Sequence, residues 1–127
     1  MISVKQMTKE KLDRIDTIRK WAHGEWMRKQ SKVYAKAMEM SEETFKEGAL
    51  SRKQKELIAI GISVITNCES CMQWHIGQAI EVGATEKEII EAIEVAIEMG
   101  VVPATVHARF ALEVLNHAIA EDGDKPL

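Results

Sequence analysis

The stretch SRKQKELIAIGISVITNCESCMQWHIGQAIEVG, residues 51–83, decides the fold of this chain. Its first half reads as a helix that Ser51 caps, and in residues 57–65 only Gly61 and Ser63 interrupt the apolar run. A helix that is apolar on most of its sides sits at the centre of a domain. In the second half, Asn67 reads as the N-cap of a helix spanning about residues 68–82, with Gly83 as its C-terminal stop. The tight turn between the two helices makes them pack antiparallel. At the joint lies Cys68-Glu69-Ser70-Cys71, which holds both cysteines of the chain.

Outward from this pair the helical pattern continues. Thr85 and Glu88 match a capping box, and the helix they open buries Ile89, Ile93, Ala96 and Ile97. Gly100 and Pro103 mark a boundary. A last helix over about residues 104–120 carries Val106, Phe110, Val114 and Ala118 on one stripe, and residues 122–127 read as a frayed tail. Towards the N-terminus, residues 9–22 and 26–40 read as two helices with a weak break at His23-Gly24. Ser41 is placed to start a short helix that ends at Gly48. No sustained period-2 alternation is present, so strands are not expected. The expectation is one all-α domain, a compact bundle of six to seven helices, with an N-terminal arm over residues 1–48 and a motif-bearing core over 50–120. Trp21, Trp26 and Met27 lie near a helix break, where either a neighbouring copy in a homo-oligomer or the chain's own core would cover them.

Composition excludes several classes. The 127 residues carry a net charge of −3, which gives no electrostatic footprint for nucleic acid. The longest apolar run is about half of the roughly 20 residues a membrane-spanning helix needs. The N-terminus meets polar residues before a signal-peptide core could form, so a cytoplasmic location is expected. In a reducing compartment, a close cysteine pair is more often catalytic, redox-sensing or metal-binding than a structural staple.

On a helix, Cys68, Cys71 and His75 share one face at i, i+3 and i+7. Two thiols beside an imidazole are the minimum apparatus for thiol–disulfide or peroxide chemistry. With Glu56 as a fourth ligand, the same residues could instead hold zinc, although no second CxxC knuckle is present. A third reading is an inert pair. Met72 after Cys71 excludes haem attachment, and the missing βαβ pattern disfavours a thioredoxin fold. His107 reads as a core or interface residue, His23 and His117 as surface or helix-end residues, and Met72 and Trp74 as residues that could line a substrate pocket, core packing being the commoner fate.

Glu56, eleven residues, Cys68-x-x-Cys71, three residues and His75 together resemble the signature of the alkyl hydroperoxidase D family, within the carboxymuconolactone decarboxylase superfamily. Similar residues extend to Lys55-Glu56-Leu57-Ile58-Ala59, Gly83-Ala84-Thr85-x-x-Glu88-Ile89 and Ala92-Ile93, and the likeness covers about residues 50–114. The resemblance implies an all-helical fold assembled as a trimer or hexamer. It implies peroxide reduction with no bound cofactor or metal, and regeneration by an external dithiol or protein reductant. Cys71 would be the attacking thiol, Cys68 the resolving thiol, and Glu56 with His75 the proton relay. One position departs: Ser70 stands where the family's fuller relay has a further histidine, just before the second cysteine. The remaining alternatives are a redox-sensing or metal-binding module without turnover, and a decarboxylase-like enzyme acting on a small organic acid.

Overall fold

The computed structural model describes residues 1–123 and is helical throughout, with five elements. Helix α1 spans Val4–Arg28, α2 Lys32–Thr44, α3 Arg52–Ile65, α4 Glu69–Glu81 and α5 Glu86–Gly123. Side-chain oxygens cap four of their starts. Ser3 accepts from the Gln6 amide and Ser31 from the Tyr34 amide. Ser51 forms a full capping box with Gln54. Thr85 and Glu88 form another, at 3.1 Å and 2.9 Å. In that second box the Thr85 amide, and then Lys53, hold the Glu88 carboxyl below its ordinary range.

Five elements stand beside the six to seven helices expected, and the fifth is itself two helices that meet at a kink. The chain does not break at His23-Gly24; α1 runs through, because one glycine costs a helix only about 1 kcal/mol. The break falls at Gln30, which takes φ +55° before Ser31 caps α2. Ser41 starts no helix but lies inside α2, where its carbonyl accepts from the Phe45 amide. The two C-terminal helices meet, at the boundary expected between Gly100 and Pro103, in a sharp kink within α5. Val101 there has φ 54° and ψ −129°, a conformation a β-branched residue rarely adopts. Pro103 falls in the first turn after the kink, where a missing amide proton leaves no helical bond unmade. Of the expected frayed tail, Asp122 and Gly123 belong to α5, and residues 124–127 lie outside the described residues.

As the apolar run requires, α3 is central: it packs against both α4 and α5, which also pack against each other. Ile60 and Val64 from α3, Met72, Ile76 and Ala79 from α4, and Ile89, Ala111 and Leu115 from α5 form the buried centre. The first half of α1 joins it through Leu12 and through a Thr8 hydroxyl that donates to Glu113 at 2.7 Å. By contrast, no residue of α2 is buried, and that helix meets α1 through Trp26 stacked on Tyr34. Two apolar surfaces stay open: Trp21, Trp26 and Met27 on the end of α1, and a strip of Ile58, Ile62 and Ile65 beside Val95 and Met99. No helix among the described residues is long and apolar enough to cross a membrane.

The kink is held by close packing. A methyl group placed on Gly100 would lie 2.6 Å from the Ala104 Cβ and 2.7 Å from Ile65 Cδ1. Gly100→Ala is therefore expected to destabilise the fold by about 1–3 kcal/mol, the usual cost of overpacking. Urea denaturation with an unchanged slope would show it.

Candidate active site

The joint between α3 and α4 is built from backbone hydrogen bonds. Asn67 adopts φ 53°, its amide donates to the Val64 carbonyl at 3.2 Å, and the Cys68 amide donates to the Ser63 carbonyl at 2.9 Å. These are the two bonds of a Schellman end, in which asparagine can take the left-handed position that glycine usually fills. The structure thus corrects one expectation. Asn67 closes α3, and Cys68 is itself the N-cap of α4. The Cys68 sulfur takes the place of a serine oxygen and accepts from the Cys71 amide at 3.3 Å. Cys68 therefore lies at the positive end of the α4 dipole, which favours a thiolate there.

Cys68 and Cys71 are joined as a disulfide, with Cα atoms 5.1 Å apart. One helical turn beyond Cys71, His75 faces α3 and its Nδ1 lies 2.7 Å from Glu56 Oε2. The two residues are nineteen apart in sequence, and the antiparallel packing of α3 and α4 closes that gap. Glu56 is only 2% exposed, so a carboxylate there needs partners. His75 is one and Arg52 the other, with Nε 3.7 Å from Oε1. A proton on Nδ1 would make His75 the donor to this carboxylate. Phe45 stacks on the imidazole at 5.2 Å, which fixes the ring plane.

Above this pair opens a groove of about 420 Å³, lined among others by Phe45, Arg52, Glu56, Trp74 and Gln78. Arg52 also donates to Gln78 across it. Of the two residues that could line a pocket or pack in the core, Trp74 is half-exposed and lines the groove, whereas Met72 is fully buried. On the opposite side, α1 grips the residues between the cysteines. Lys11 pairs with Glu69. Arg19 Nη2 donates to the Ser70 carbonyl and hydroxyl, each at 3.2 Å, and to Gln73 Oε1 at 2.7 Å.

The structure joins the four residues of the sequence motif as two pairs, Cys68 with Cys71 and Glu56 with His75. The sequence reading missed Arg52, Phe45, Gln78 and Arg19. Arg52 had a signal, since arginine and glutamate at i and i+4 share a helix face. Arg19 had none, at 51 residues from Ser70. His107 is the satisfied residue anticipated, with Nδ1 donating to the Val64 carbonyl at 2.8 Å. His23 bonds the Tyr34 hydroxyl on the surface. Among the described residues, no group of three or more His, Cys, Asp or Glu is placed to hold a metal ion.

A fold with a central helix pair, a CxxC at its joint and a buried glutamate on the facing helix defines a class. The family model for the carboxymuconolactone decarboxylase family matches residues 31–114, and the chain belongs to that family. A solved protein of the family from Legionella pneumophila superposes with a TM-score of 0.81 at 26% identity, covering 86% of this chain and 97% of that one. Uncharacterized protein 4 in the cox locus of Paracoccus denitrificans is 38% identical over 95 residues, 75% of this chain and 86% of that protein. The alkyl hydroperoxide reductase AhpD of Anaeromyxobacter dehalogenans is 33% identical over 73 residues, 57% of this chain but 36% of that protein.

The conformation of Asn67 gives a test of the joint. Asn67→Gly should leave stability unchanged or slightly raised. Asn67→Val should lower it by about 1–2 kcal/mol, because a β-branched residue resists positive φ. Thermal denaturation of the two variants side by side measures the difference.

Proposed function

We propose that this protein is a thiol-dependent peroxidase that reduces organic peroxides through Cys68 and Cys71. The observation that carries the reading is the buried Glu56–His75 pair, 2.7 Å apart, one helical turn from a closed cysteine pair. In the reduced protein, His75 takes the proton of Cys71. The thiolate attacks one peroxide oxygen; a sulfur–oxygen bond forms and the oxygen–oxygen bond breaks. The departing alkoxide takes the relay's proton and leaves as an alcohol. Cys71 is then a sulfenic acid. Cys68 attacks it, the disulfide forms and water leaves. An external dithiol returns two electrons and two protons and restores both thiols.

The cap position favours Cys68 as the more acidic thiol, and the assignment of Cys71 as attacker with Cys68 as resolver follows the resemblance and the place of His75. His75 is one turn from Cys71. Cys68, as N-cap, makes a stabilised thiolate and so a good leaving group when the disulfide is reduced. The AhpD relative, alkyl hydroperoxide reductase by name, supports the same reading. No bound cofactor is needed. The dithiol donor fits a cytoplasmic setting, and the two open apolar surfaces support assembly of copies into a trimer or hexamer.

One equivalent of an organic hydroperoxide added to the reduced protein should remove two hydrogens from its intact mass. Cys71→Ser should abolish that change. Glu56→Gln should lower kcat/KM for the peroxide about 100-fold while the protein stays folded. Thiols that remain reduced while zinc co-purifies stoichiometrically would sink the proposal in favour of a metal site. Oxidation without turnover with any dithiol would favour a sensor. A solution mass of one chain would remove the oligomer from it.

A further inference from the structure

The geometry points to Arg19 as a positioning residue that poises the dithiol from outside the region the family model matches, by setting positive charge against the segment between the cysteines. The inference rests on the redox reading above but not on peroxide being the oxidant. Arg19 lies on α1, whereas the family match begins at residue 31. Its side chain is 26% exposed. All three oxygens that Nη2 meets are neutral: the Ser70 carbonyl, the Ser70 hydroxyl and Gln73 Oε1. The carbonyl belongs to the peptide bond that leads into Cys71. Gln73 donates back to the Leu12 carbonyl at 3.2 Å, so α1 and the first turn of α4 are cross-tied. The guanidinium also lies 5.3 Å from the Trp74 ring, which fixes its plane.

Neighbouring charges leave Arg19 only partly answered. Its closest carboxylate is Asp16, 3.5 Å from Nη1, and Asp16 also pairs with Lys20 at 2.9 Å. Glu69 is engaged by Lys11, and Glu56 by His75 and Arg52. On the α5 side, His107 is turned to the Val64 carbonyl. A cation held on Ser70, the residue before Cys71, sets positive charge near the cysteine pair and favours the thiolate. That stabilises the reduced form and makes the disulfide more oxidising. The reaction that reads this is balanced: two glutathione thiols give two electrons and two protons, the Cys68–Cys71 bond breaks, and glutathione disulfide forms.

The test equilibrates the full chain with glutathione redox buffers, traps the thiols by alkylation and counts them by intact mass. In Arg19→Gln the equilibrium constant for reduction should fall about threefold, a drop of ~15 mV in potential. Alkylation of its thiols by iodoacetamide should require a higher pH. Arg19→Lys, which keeps the charge without the fork, should recover most of the loss. Asp16→Asn, which removes the partial neutraliser, should move the equilibrium the other way. A folded Arg19→Gln protein with parental equilibrium and parental alkylation profile would overturn the proposal and leave Arg19 a merely structural tie. If Arg19→Gln does not fold, Asp16→Asn decides, and an unmoved equilibrium there overturns it equally. Because the assay contains no peroxide, a shifted potential without peroxide turnover would defeat only the peroxidase reading.

Discussion

The carboxylate of Glu56 is buried in the central helix of a largely apolar core, and much of the site follows from meeting its needs. A charge taken out of water is tolerated only with close, well-aligned partners. Here the partners come from two directions. Arg52 reaches it from one turn earlier on the same helix, and His75 reaches it from the facing helix. The imidazole is thereby fixed in orientation. A group that would cost stability as an isolated charge becomes the element that holds the imidazole of α4 against α3.

That arrangement depends on how α3 hands over to α4. Cys68 serves both helices: its amide closes the end of α3 on Ser63, and its sulfur caps the start of α4. The joint leaves no slack between the helices, so the register that brings His75 to Glu56 and the register that brings Cys68 to Cys71 are set together. His107 adds a further donor at the same helix end, through the Val64 carbonyl. Fold and site share one set of hydrogen bonds.

Much of this was legible in the chain. The apolar run over 57–65 marked a central helix, and the helix that carries the motif was read with its Gly83 stop. The Thr85–Glu88 capping box appears in the structure as read. Those signals are local, and local signals survive when the packing agrees with them. The errors arose where two local rules competed. Asn67 fits either a helix start or a left-handed helix end, and the backbone bond from Cys68 to Ser63 chose the second. Gly24 and Ser41 are weak breakers that an exposed helix absorbs, whereas the true break at Gln30 carried no breaker residue at all.

The sequence by itself determined the all-helical class, the identity of the central helix pair and the place of the cysteine pair at its joint, because each follows from periodicity, capping and spacing within one stretch of chain. Only the tertiary structure decided that Glu56 and His75 touch, that Cys68 rather than Asn67 caps α4, and that α1 reaches across to hold Ser70 through Arg19. Those facts depend on the relative placement of helices far apart in sequence. No period or cap encodes that placement; the packing of their buried faces does.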